Sequence, residues 1–138
     1  MNHLKNLLLA LLLSSSLTGC ALWDAYFMAG YDSGEYTLVT KVRTEAEYAL
    51  EKCSSPTEVR AIIDVMYFEA NTLHNYTQHI PNNEDAKKLA KNLKELVYKT
   101  RELYYNGKDP SEAYCKAKLT LVAKNAENVQ KVLGSKPR

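Results

Sequence analysis

Four stripes of apolar residues at helical spacing run through residues 32 to 134, each opening behind a cluster of cap-forming residues. The first segment starts at Asp32-Ser33-Gly34-Glu35, where Asp32 can accept from first-turn amides and Glu35 follows three residues on. Its apolar positions, Val39, Val42, Ala46, Ala49 and Cys53, step 3-4-3-4 along one helix face. The second opens on Ser55-Pro56-Thr57-Glu58: a capping serine, a proline at the first helical position and a glutamate to close a capping box. Its stripe is Val59, Ile62, Ile63, Met66, Ala70, Leu73 and Thr77, and it must stop by Ile80, because Pro81 disfavours helix in the residue before it.

Asn82-Asn83-Glu84-Asp85 supplies the third cap and an acidic first turn. The stripe that follows reads Ala86, Leu89, Leu93, Leu96, Thr100 and Leu103, and it ends at Asn106-Gly107, a left-handed stop signal. Asp109-Pro110-Ser111-Glu112 repeats the cap, proline and glutamate pattern. The fourth stripe is Cys115, Leu119, Val122, Ala126, Val129 and Leu133, with Gly134 as terminator. No segment shows the period-two alternation of a half-buried strand. The pattern predicts an all-α fold, a small antiparallel bundle of about four helices in up-down-up-down order.

Ahead of the bundle lies Leu7 to Leu13, an apolar block with Lys5 before it and Ser14-Ser15-Ser16 after it. A cation, a short leucine block and small residues are the marks of a secretory signal peptide. The block ends in Leu17-Thr18-Gly19-Cys20, which resembles the lipobox of bacterial lipoproteins. That resemblance implies removal of residues 1–19, diacylation of the Cys20 thiol and a lipid-anchored N-terminus. An ordinary signal peptide, or an uncleaved anchor helix with an incidental cysteine, is the alternative, although the leucine block is short for a bilayer span. The resemblance divides the chain into a signal peptide (1–19), a lipidated cysteine with a short tether (20–32) and a bundle domain (33–138). Ala21 follows the cysteine where an aspartate would imply inner-membrane retention, so the expected location is the outer membrane, facing the periplasm.

Removing residues 1 to 19 from the 138 leaves 119, enough for one domain and one core. That part keeps all but one of the 18 basic residues and all 16 acids, a near-neutral, mixed-sign surface that argues against nucleic acid as a partner. With Cys20 assigned to lipid, two of the three cysteines remain, Cys53 and Cys115. In an oxidising compartment such a pair is expected to bond, two buried free thiols being the alternative. Both lie on the apolar stripe of their helix, and up-down-up-down order brings them to the same end of the bundle. A bond there closes a loop of 62 residues.

The tether, Ala21 to Tyr31, is short and aromatic. Trp23, Tyr26 and Phe27 suit the membrane–water interface, where an apolar ring with a polar edge is at home. They equally suit a lid packed back on the bundle; Gly30 is the expected hinge in either case. Elsewhere, groups that could carry chemistry are sparse. His74 and His79, five residues apart, lie about 140° apart around a helix and make a poor metal pair, and Glu69 is no better placed. There is no glycine-rich phosphate loop and no serine nucleophile elbow. No catalytic residue, metal or cofactor is expected. Lys87, Lys88, Lys91 and Lys94 form a basic cluster interleaved with acids, read as a solvated face with Glu84 and Asp85 spaced to pair with Lys88, or as a docking patch for an anionic partner such as lipopolysaccharide or an acidic protein loop. The chain holds 10 tyrosines against 2 phenylalanines. Tyr104, Tyr105 and Tyr114 fall at the cysteine end of the bundle and are the partner-binding candidates, since tyrosine buries area at an interface at low entropic cost.

Trp23-Asp24-Ala25-Tyr26-Phe27-Met28, Tyr31-Asp32 with Glu35-Tyr36, Val42-Arg43-Thr44, Tyr114-Cys115-Lys116 and Gly134-Ser135-Lys136-Pro137-Arg138 together resemble small lipoproteins encoded by tailed bacteriophages and some of their hosts. The resemblance transfers no catalytic residue. The anchor, the short tether, the expected disulfide and the absence of a catalytic cluster point to a non-enzymatic, membrane-anchored envelope binding protein of phage or prophage type that masks a receptor or alters the envelope, with the bilayer and an envelope protein as partners. A structural or lysis-related adaptor of the outer-spanin type is the alternative.

Overall fold

A computed structural model describes residues 29–138, and four helices hold most of them: α1 (Ser33–Glu51), α2 (Pro56–Gln78), α3 (Glu84–Tyr105) and α4 (Glu112–Gly134). Among the described residues there is no strand. Each helix packs on the next in sequence and α1 closes the ring against α4, with the α3–α4 seam the least extensive of the four. Short turns make neighbours antiparallel, so the order is up-down-up-down. Cys53, just past α1, and Cys115, in the first turn of α4, meet at one end in a disulfide with a Cα–Cα distance of 5.8 Å. The opposite end gathers the start of α1, the α2–α3 turn and the segment after α4.

The stripes of α1, α2 and α4 are buried as read, except that Ile62 is only partly covered and Ala123 joins the core. The α3 stripe is rotated. Its buried residues are Ala86, Ala90, Leu93, Val97, Thr100 and Tyr104, while Leu89, Leu96 and Leu103 are partly exposed at the edge. Small side chains at 86 and 90 let α3 sit close to its neighbours, and the leucines then flank the contact rather than centre it.

Caps follow the sequence at Asp32, whose side chain accepts from the Glu35 amide at 3.0 Å. They depart from it at three other starts. Ser55 takes the extended cap conformation without a side-chain bond, and Glu58 pairs with Lys52 at 3.6 Å rather than closing a box. Ser111, not Asp109, caps α4 by accepting from Tyr114 N, and Asp109 pairs with Arg60 instead. Asn83 caps α3 by position only, its side chain being engaged elsewhere. The α2–α3 turn places Asn82 in the left-handed region (φ 56°), which asparagine tolerates better than most residues. Gly107 has φ 158°, outside the left-handed helical region expected of a stop residue there.

Candidate functional site

At the disulfide end, α2 and α3 present a fixed aromatic and charged platform. Arg101 Nε donates to Asp64 at 2.6 Å, and the Tyr105 hydroxyl donates to the other oxygen of the same carboxylate at 2.6 Å. The Arg101 guanidinium also lies over the Tyr105 ring at 4.5 Å and the Tyr67 ring at 5.6 Å. Tyr67 in turn meets Tyr98 with ring centroids 5.8 Å apart. Burial opposes ionisation of Asp64, but the hydrogen bonds from Tyr105 and Arg101 outweigh it and hold the carboxyl below its ordinary range. The bond to Asp64, with some burial, pushes the Tyr105 phenol up. At neutral pH the group is therefore a carboxylate, a guanidinium and a neutral phenol locked together. Such a set cannot shuttle protons readily, but it holds tyrosine and arginine side chains in place for contact, which lowers the entropic cost of docking on them.

Of the three tyrosines read as partner-binding residues, Tyr105 and Tyr114 are exposed and Tyr104 is not. Tyr104 is 4% exposed and part of the core, because the rotated phase of α3 turns it inward. Its hydroxyl has no hydrogen-bond partner among the described residues, and burial pushes its pKa up. Arg60 covers this corner, donating from Nε to the Tyr104 carbonyl at 3.1 Å and pairing with Asp109. Tyr114 stands apart on α4 with Lys118 over its ring at 5.2 Å. The three residues thus do not form one patch; Tyr105 belongs with Arg101, Tyr67 and Tyr98.

The opposite end holds a buried polar cluster that sequence reading missed. Lys136 Nζ donates to Glu35 Oε2 and to Asn83 Oδ1, each at 2.6 Å, and Asn83 Nδ2 donates to Glu35 Oε1. The Glu35 side chain is fully buried and that of Lys136 is 6% exposed. Glu35 was read as a capping-box residue, yet it continues the α1 stripe four residues before Val39. A carboxylate in phase with a core face needs a buried partner, and that phase was the available signal. Beside the cluster, Ala29 N donates to Asn82 O at 3.2 Å and Tyr31 N to Pro137 O at 2.7 Å. Gly30 therefore sits between two tied neighbours, unlike a free hinge. A cavity of about 180 Å³ opens here between Ala29, Asn83, Ala86, Val132, Ser135 and Lys136, small beside the roughly 300–1,000 Å³ of typical ligand pockets.

The remaining sequence-derived residues are soon placed. Cys20, Trp23, Tyr26 and Phe27 lie outside the described residues. His74 is half-buried on α2, and burial, then Lys94 and Lys91, lower its pKa. His79 ends the same helix exposed to solvent. Glu69 pairs with Lys41 at 3.1 Å. In the lysine cluster, Glu84 pairs with Lys87 at 2.8 Å rather than with Lys88, and Lys91 reaches Glu95 at 4.0 Å. Among the described residues no group of three His, Cys, Asp or Glu side chains could hold a metal ion, and no helix is long and apolar enough to cross a membrane. Comparison with protein-family models, with curated proteins and with solved structures found no match.

Proposed function

We propose that the chain is a lipid-anchored envelope protein, acylated at Cys20, which binds another envelope component and catalyses no reaction. The observation that carries this reading is Leu17-Thr18-Gly19-Cys20 directly behind the Leu7–Leu13 block and its serines. The bonding of Cys53 to Cys115 supports it, since Cys20 is then the one odd cysteine of three. The hydrogen bonds of Ala29 and Tyr31 support a close tether. From Cys20 to Ala29 is nine residues, at most about 30 Å of extended chain, so the bundle end holding Glu35 and Lys136 stays near the anchor. The Arg101–Tyr105 platform lies toward the far end and is the surface offered to a partner. Outer-membrane sorting, read from Ala21, and the kinship with phage-encoded small lipoproteins belong to the same reading.

The test is metabolic labelling of cells expressing the full chain with an alkyne fatty acid. Label and membrane fractionation should both be lost on Cys20→Ser and kept in the Cys53→Ala/Cys115→Ala variant. Label that survives Cys20→Ser refutes the anchor. Crosslinking from intact cells, with the lipidated chain as bait and Arg101→Ala/Tyr105→Ala as control, then tests the platform.

A further inference from the structure

One helix face leaves large apolar side chains exposed to solvent. On the outside of α2, Ala61, Val65, Phe68 and Thr72 follow one another at 4-3-4 spacing, all turned away from the core. Val65 is 49% and Phe68 67% exposed, and Tyr48 of α1, 50% exposed, lies on the α1 side facing the same groove. A bundle helix ordinarily turns polar residues to this side.

We propose that this face is the contact between two copies of this chain, related by a two-fold axis perpendicular to α2. Its 4-3-4 spacing reads the same from either end. About the midpoint between Met66 and Tyr67, Val65 stands opposite Phe68 and Ala61 opposite Thr72. Antiparallel superposition of two α2 helices therefore packs each Phe68 on the other copy's Val65, a self-complementary arrangement of the kind a two-fold dimer requires. The flanking charges obey the same symmetry. The Lys41–Glu69 pair sets Lys41 level with Glu69, just past the midpoint toward the α2 C-terminus. Glu45 is one turn further along α1, which runs the other way, and so falls at nearly the same distance on the other side of the midpoint. The axis brings Lys41 of each copy to Glu45 of the other, giving two opposite-charge contacts beside the apolar centre. A second copy thus meets both the apolar centre and the flanking charges with complementary groups.

The geometry has a consequence for an anchored chain. The two Ala29 ends emerge at opposite ends of such a dimer, so both tethers reach one bilayer only if the helices lie along its surface.

The experiment uses the full lipidated chain in mild detergent, followed by sedimentation across a concentration series. Expected is a reversible monomer–dimer equilibrium. Lys41→Glu alone and Glu45→Lys alone should each weaken self-association at least about tenfold, since each sets like charges together twice. An equimolar mixture of the two variants should dimerise again, because each then faces its opposite. Phe68→Ser, at an exposed position, should leave helicity unchanged and abolish the dimer. A monomer at every concentration, a dimer indifferent to Phe68→Ser, or a mixture that fails to rescue overturns the proposal. So does a photo-crosslinker at position 68 that captures a different protein and never a second copy.

Discussion

Replacing Lys136 by Met leaves the fully buried Glu35 carboxylate without its counter-charge. Removing one member of a buried ion pair costs about 3–5 kcal/mol, because the remaining charge keeps its desolvation penalty and loses its compensation. The same range applies to Glu35→Met, which strands Lys136. In the double variant Glu35→Met/Lys136→Met no buried charge remains, and only the Asn83 amide is orphaned, at about 1–3 kcal/mol. The expectation is thus strongly non-additive: two costly single substitutions and a double that is milder than either, with a coupling energy of at least about 3 kcal/mol. Urea unfolding followed by far-ultraviolet circular dichroism, with the disulfide kept oxidised, reads all four corners of the cycle. Single variants within about 1 kcal/mol of wild type, or a double equal to their sum, would refute the reasoning. Either result would mean that the cluster is open to water and does not tie the start of α1 and the segment after α4 to the α2–α3 turn.

The disulfide closes a loop of 62 residues; by loop entropy its removal in Cys53→Ala/Cys115→Ala should cost up to about 4 kcal/mol, read as a lower urea midpoint with a steeper slope as the unfolded chain loses its cross-link. Mass spectrometry of native protein should find both cysteines unalkylated until reduced. Tyr104→Phe removes a buried hydroxyl that has no partner and should be neutral or stabilising by about 1 kcal/mol, whereas a loss larger than that would reveal a bound water. For Asp64, carboxyl-carbon NMR should show titration below the ordinary aspartate value of about 3.9, moving upward in Tyr105→Phe and in Arg101→Gln. Because the folded-state value is the lower one, the group's contribution is complete above the unfolded value and fades as the pH falls through the folded value. Asp64 is 43% exposed, so that contribution is screened to a fraction of a kcal/mol, and an unmoved titration in Tyr105→Phe would show that the phenol bond does not form in solution.

Apolar phase alone located the core faces of α1, α2 and α4, even though α2 carries Val65 and Phe68 on its outside. For α3 it chose wrongly between two bands. The chosen band shares Ala86, Leu93 and Thr100 with the band that is buried, but takes Leu89, Leu96 and Leu103 where the structure buries Ala90, Val97 and Tyr104. The three leucines are left partly exposed at the edge of the core. The rotation that decides between neighbouring positions is set by all four helices together, which no single stripe records. The same rotation carried Tyr104 into the core and separated it from Tyr105, so the error in the fold became an error in the candidate site.

Polar residues at helix starts failed for a related reason. Asp32, Asn83 and Asp109 all have side chains fit to cap, and local sequence ranks them alike. Only Asp32 does so, and it also accepts from the Tyr76 hydroxyl. Asn83 is taken by a carboxylate 48 residues away and Asp109 by a guanidinium 49 residues away. A cap bond contributes about 1 kcal/mol, while leaving a buried Glu35 or Lys136 unsatisfied costs several times that, so the distant partner wins wherever it is the more deeply buried one. Asn83 obeys that ordering. Asp109 does not need it: its competitor, Ser111, is better placed to take the cap, and the aspartate is released to hold Arg60 over the Tyr104 carbonyl. Burial of the charged group, more than proximity in sequence, therefore decides which end-of-helix residue caps and which one braces the fold. By that criterion Glu35, standing four residues before Val39 on a core face, is the position from which the hidden cluster at the end opposite the disulfide could have been inferred.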